Sequence, residues 1–85
     1  MNDLQLGKDA YAARKFKTAL CYLLKWLHHQ PESWEARYYI GHCYVNLNMI
    51  ASATNTFTLI GERCPDISLR ADAESALKAL SARSN

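Results

Sequence analysis

His42 and Cys43 are the first neighbours in this chain that could carry chemistry, because they pair a base with a thiol. A thiolate held beside an imidazole makes a nucleophile. Adjacent residues on a helix point about 100° apart, however, and no third residue presents itself to orient the base. His28, His29, His42, Cys21 and Cys43 together invite zinc. Zinc ligands on a helix sit three or four residues apart, and no two of these five do. His28-His29 reads instead as a solvated helix end facing the negative pole of the helix dipole, and Cys43 as a small core residue. There is no glycine-rich phosphate loop, and the carboxylates are scattered. The expectation is no enzyme, no metal and no cofactor.

Arg14-Lys15-Phe16-Lys17 sets three basic side chains around one ring, an arrangement that can touch nucleic acid. The charge of the whole chain argues against a broad basic face. Net charge is +2, with five basic and two acidic residues in the first 30 and five basic and six acidic in the other 55. That asymmetry is too mild to imply nucleic acid. The cysteines at 21, 43 and 64 are odd in number and include no C-x-x-C. Reduced thiols in a cytoplasmic protein are therefore expected rather than a disulfide framework.

The elements that must position these residues are helices. Apolar residues make up 49% of the 85, a globular share. Alanine occurs 12 times and leucine 11, against one valine and four isoleucines, which favours helix over sheet. The longest apolar run, 19–24, is far short of the roughly 20 residues of a membrane span. The start, MNDLQLGKD, lacks the basic-then-apolar pattern of a secretory signal. One domain over 1–85 is expected.

Offsetting the chain against itself by 34 residues aligns Gly7 with Gly41, Ala19 with Ala53 and Pro31 with Pro65. Between these, Leu6 meets Ile40, Phe16 meets Ile50, Leu23 meets Phe57 and Trp26 meets Ile60. Each matched type has a physical use. The glycines let a second helix approach closely, the alanines are the small residues facing them, and the large residues form one stripe of the second helix. The prolines lack a backbone N–H and end that helix. First helices are expected at about 2–13 and 34–46, and second helices at about 16–29 and 50–63. Asn2 or Asp3 can cap the first, Ser33 the third and Asp66 or Ser68 a fifth. The fifth carries an apolar stripe of Leu69, Ala73, Ala76, Leu77 and Leu80. The units are then 1–31, 32–65 and a capping helix at 66–82, followed by a tail at 83–85. A bulky Trp26 would widen the gap between hairpins, fill it or be covered by a partner.

A 34-residue period with these residue types resembles the tetratricopeptide repeat. The resemblance implies an all-α fold of two helical hairpins and a capping helix in a short right-handed solenoid. It also implies a concave groove lined by the first helices. Helical spacing places Leu4, Lys8 and Tyr11 on that groove from the first unit, and Glu35, Tyr38, His42, Val45 and Asn46 from the second. Tyrosine combines wide apolar contact with a polar tip, which suits a peptide partner. Packing between helices is the plainer use of such rings. Tyr11, Tyr38 and His42 lie furthest from the inter-helix stripe and are assigned to the groove, and Tyr39 and Tyr44 to the core. Two hairpins and one helix are close to the minimum for a stable array, so association with a second chain is expected to contribute stability.

Ile40-Gly41-His42-Cys43-Tyr44, then Leu47, Ala53 and Phe57, lead to Ser68-Leu69-Arg70-Ala71-Asp72-Ala73 and Leu77-Lys78-Ala79-Leu80. This half resembles the last repeat and terminal helix of the type III secretion chaperones that guard translocator proteins. The chain's size resembles that of the smaller repeat proteins that guard the needle subunit together with a short helical co-chaperone. Either resemblance implies a cytoplasmic chaperone in a hetero-oligomer, with a hydrophobic secreted client in its groove. A general scaffold repeat that docks a peptide segment within a larger assembly is the alternative.

Overall fold

Asn2 opens the first helix by accepting the Gln5 backbone N–H on Oδ1 at 2.8 Å. From there a computed structural model, describing residues 2–83, runs through five helices. They are α1 (Asp3–Ala12), α2 (Phe16–His29), α3 (Trp34–Asn46), α4 (Ile50–Arg63) and α5 (Ile67–Arg83). The described residues contain no strand, so the chain is all-α as its composition requires. No helix among them is long and apolar enough to cross a membrane. Of the expected tail at 83–85, Arg83 belongs to α5 and 84–85 lie outside the described residues.

Side-chain caps also open α3 and α5, whereas α2 and α4 start without one. Ser33 Oγ accepts from the Ala36 N–H at 3.3 Å. At α5 the cap is Asp66, whose Oδ1 accepts from the N–H groups of Ser68 and Leu69 at 2.9 and 3.3 Å. Each such bond satisfies a donor that the helix itself leaves free. The turn inside each hairpin ends its first helix in the same way. Arg14 and Asn48, exactly one period apart, take left-handed φ values of 63° and 61°. Around them Arg14 N–H donates to Tyr11 O and Lys15 N–H to Ala10 O, while Asn48 N–H donates to Val45 O and Met49 N–H to Tyr44 O. These bonds occupy the last carbonyls of α1 and α3 and reverse the chain.

Within each hairpin the repeat glycine lets the two helices close. A Cβ at Gly41 would lie 2.7 Å from Phe57 Cζ, and one at Gly7 would lie 2.7 Å from Leu23 Cγ. The large residue of the second helix thus sits directly on the glycine. Ala19 contributes its backbone there, with its carbonyl 3.4 Å from the same Gly7 position. Phe57 and Leu23 are fully buried as a result.

Consecutive helices pack throughout. The odd helices also meet each other, α1 with α3 and α3 with α5, while α2 and α4 do not touch. An array whose odd helices meet while its even helices splay curves toward the odd side. The outcome is two layers, α1–α3–α5 inside and α2–α4 outside, with extents of 39 × 27 × 17 Å. It is a small helical hairpin array of the solenoid kind.

The joint between hairpins is held by Trp26. Its indole Nε1–H donates to Ser33 Oγ at 3.1 Å, and its ring packs beside the buried Ala19, Leu23, Ala36, Ile40 and Cys43. Of the three fates open to this residue, it fills the gap. Arg37 closes the same loop by donating from Nη2 to Pro31 O at 3.0 Å, with its guanidinium 5.3 Å from the Trp34 ring centroid. A second core gathers Ala53, Phe57, Ile60 and Cys64 with Ala73 and Leu80 of α5. Tyr44 packs against both cores. The fifth helix therefore covers the second hairpin, as its stripe requires. On the first hairpin, Asn2 and Asp9 are exposed at the register positions where α3 buries Ala36 and Cys43.

Candidate functional site

The inner layer carries the aromatic residues that spacing assigned to a groove. Tyr38 and His42 are one helical turn apart on α3, so their rings meet edge to face at 4.6 Å between centroids. Both lean on the buried Phe57 ring, at 6.0 and 5.1 Å. Tyr11 arrives from α1, 6.4 Å from His42 and 5.4 Å from Tyr39. Tyr39, expected in the core, does pack against it. It also joins this ring set, 6.2 Å from Tyr38 and 5.8 Å from the Lys8 ammonium.

Lys8 Nζ donates to Glu35 Oε2 at 2.9 Å and ties α1 to α3 across the layer. That bond holds the Lys8 ammonium above its ordinary pKa. Leu4 and Val45 are half-buried and pack toward the two cores, so they serve as walls more than as free surface. Asn46 is exposed, and its Nδ2 donates to the His42 carbonyl at 2.8 Å. All eight assigned residues are thus on α1 or α3, with Tyr11, Tyr38 and His42 at the centre.

The face is open. The described residues enclose no pocket, because the rings of α1 and α3 fill the angle between their own helices. The face presents the half-buried rings of Tyr11, Tyr38, Tyr39 and His42.

The charge of Asp72 acts on two groups of this face, and that residue was not singled out from the sequence. It is exposed on α5, which meets α3 along the inner layer. Burial raises the Tyr38 phenol above its ordinary pKa, and the Asp72 charge raises it further. Burial lowers the His42 imidazole, and the Asp72 charge opposes that shift. The residues three and four positions from Asp72 are Ser68, Leu69, Ser75 and Ala76, so no cation of its own helix can pair with it.

The other constellations stay apart. Burial pushes the Cys43 thiol up to about 11, which keeps it a thiol at neutral pH. Cys21 is exposed, Cys64 is buried, and all three cysteines are free. Among the described residues no three His, Cys, Asp or Glu side chains gather as metal ligands. The His28 and His29 rings are exposed at the end of α2. In the basic turn, the Arg14 guanidinium lies 5.7 Å from the Phe16 ring centroid. Compared with protein-family models, curated proteins and solved structures, the chain matches none.

Proposed function

We propose that this chain is a non-enzymatic protein-binding module that docks a polypeptide segment across its α1–α3–α5 face. The observation that supports this reading is the ring set of Tyr11, Tyr38, Tyr39 and His42. These rings are half-buried, so their stems are held by the fold while their edges remain at the surface. Surfaces of this kind lose little side-chain entropy on binding and offer both apolar and hydrogen-bonding contact.

The finer assignment is a cytoplasmic type III secretion chaperone that shields an aggregation-prone needle or translocator subunit, working in a hetero-oligomer with that client, a small helical co-chaperone or both. Its support is the likeness of 40–80 to the last repeat and terminal helix of such chaperones. A partner that covers the rings would stabilise the fold by mass action, in keeping with the small core of so short an array. The alternative, a tetratricopeptide scaffold docking a peptide in a larger assembly, uses the same face.

The experiment compares co-purification of a partner by the wild type and two variants. The double variant Tyr38→Ala/His42→Ala is expected to lose the partner while circular dichroism keeps its helical signal. Leu24→Ala, on the outer layer, is expected to retain it. A partner held equally by both variants would remove this face from consideration. Chaperone and scaffold then part company on the client, which aggregates without a chaperone and stays soluble without a scaffold.

A further inference from the structure

The net charge of +2 is unevenly distributed. Between Asp9 and Glu32 the chain carries Arg14, Lys15, Lys17 and Lys25 and no acidic residue, so all eight acids share the remainder with the other six basic residues. These four cations, with His28 and His29, are exposed on α2 and the turn before it. The one ion pair among the described residues joins Lys8 to Glu35 on the inner layer, so none of the four is paired. The first turn of α2 also lacks an acidic residue, and its cations stand at the positive pole of the helix dipole, which is unfavourable for the helix itself.

The second repeat shows what the fold requires at these positions. Lys17, Cys21, Leu24, Lys25 and His28 follow one another at i, i+4, i+7, i+8 and i+11, so they form one exposed ridge about 16 Å long. One period later the same ridge of α4 reads Ala51, Asn55, Thr58, Leu59 and Glu62. Residues 51, 55, 58 and 62 are exposed like their counterparts, so packing calls for neither a lysine at 17 nor a leucine at 24. Leu24 is, among the described residues, the only large apolar side chain exposed in the interior of a helix, since Met49 and Ile67 stand at helix starts. It has Lys25 beside it and Lys17 two turns before it.

We propose that this α2 ridge docks a second, separate partner, an acidic polypeptide segment whose carboxylates meet Lys17 and Lys25 while an apolar side chain covers Leu24. Complementary charge sets the sign of the partner and speeds its approach. The exposed leucine between two lysines selects a segment in which acidic and apolar residues are interspersed. Nucleic acid is the poorer fit, because lysines on a convex helix offer neither a stacking platform nor the bidentate fork that reads bases. A membrane surface needs more buried apolar area than one leucine gives. The ridge and the inner-layer rings lie on different helices, so this inference is independent of the docking reading above.

The test uses the full chain, labelled for NMR, at low ionic strength. The probe is the octapeptide N-acetyl-Glu-Glu-Leu-Glu-Glu-Leu-Glu-Glu-amide, with its analogue carrying glutamine for every glutamate as the uncharged control. The acidic peptide should shift the backbone amides of 17–28 saturably, and the analogue should bind at least about tenfold more weakly. Lys17→Ala/Leu24→Thr gives α2 the residues that α4 carries at these positions. It should keep the helical signal and weaken the acidic peptide by about fivefold to twentyfold. Leu24→Thr alone should weaken it by about threefold, an effect that charge attraction by itself does not produce. Lys78→Gln, which removes an equal charge from α5, and Tyr38→Ala/His42→Ala, which opens the ring face, should both bind it as the wild type does. Equal binding of the two peptides, or a Lys17→Ala/Leu24→Thr variant that binds like the wild type, would overturn the proposal. So would an oligothymidylate or a phosphatidylserine vesicle that shifts the same amides at lower concentration than the peptide. Amides of 17–28 unmoved by the peptide would remove this ridge and leave the ring face untouched.

Discussion

Three glycines of the same type have different jobs, and the space around each decides which. Gly41 faces a Phe57 ring that is fully buried and backed by Tyr38 and His42, so the ring cannot retreat from an added methyl. Gly41→Ala is expected to lower stability by about 1–2 kcal/mol, overpacking outweighing the gain in helix propensity. Gly41→Leu should abolish the fold. At Gly61 the nearest atom to an added Cβ is Glu74 Cγ at 3.8 Å, an ordinary contact. Gly61→Ala should therefore raise stability by about 0.5–1 kcal/mol. Urea denaturation of both alanine variants reads the opposite signs directly. His42 adds a pH dependence. Its folded pKa is lowered from 6.5 by burial, so the unfolded chain binds its proton more readily. The stability this confers is complete above about pH 6.5 and is lost as pH falls from there through the folded value. The urea midpoint of the wild type should drop between pH 7 and pH 5 by more than that of His42→Phe. Because Asp72 opposes the shift, Asp72→Asn should lower the His42 pKa further in an NMR titration.

Helix ends and joints carry the next tier of specificity. Ser33 does two things at once, capping α3 and accepting the Trp26 indole. Ser33→Ala leaves a helix N–H and the half-buried indole N–H without this acceptor, at a cost of about 1–2 kcal/mol. In a double-mutant cycle with Trp26→Phe the two changes should couple by about 0.5–1 kcal/mol. A null coupling would mean that Trp26 acts by packing alone. The paired turns differ in residue type rather than geometry. Arg14 holds a left-handed backbone at a steric cost that glycine avoids, whereas asparagine tolerates it better. Arg14→Gly is expected to raise stability by about 0.5–1 kcal/mol, and Asn48→Gly by less, both measured by thermal melting.

Across the molecule, two cores share one helix. The α1–α2–α3 core and the α3–α4–α5 core are joined through α3, and Tyr44 is the residue that packs against both. Stability in such arrays is a sum of unit terms and interface terms, so cooperativity depends on the shared contact. Tyr44→Ala should do more than cost about 3 kcal/mol. It should also separate the unfolding midpoint read by tryptophan fluorescence, dominated by the Trp26–Trp34 joint, from that read by circular dichroism. Coincident midpoints in the variant would show that the cores are coupled elsewhere.

Helix number, helix bounds and hairpin pairing were legible in the chain because they depend on local rules. The 34-residue register of Gly7/Gly41, Ala19/Ala53 and Pro31/Pro65 encodes close approach, stripe and stop without reference to distant residues. The choice of Asn2 over Asp3 and of Asp66 over Ser68 as caps needed coordinates, since adjacent polar residues compete for the same N–H groups. The place of Trp26, the double duty of Tyr39 and the effect of the Asp72 charge on Tyr38 and His42 also lay beyond the sequence. Each depends on how one hairpin is rotated against the next, a non-local quantity set by the sum of side-chain volumes at the joint. The same rotation decides which rings of α1 and α3 meet, Tyr11 against Tyr39 and His42, a contact between units that no local rule contains.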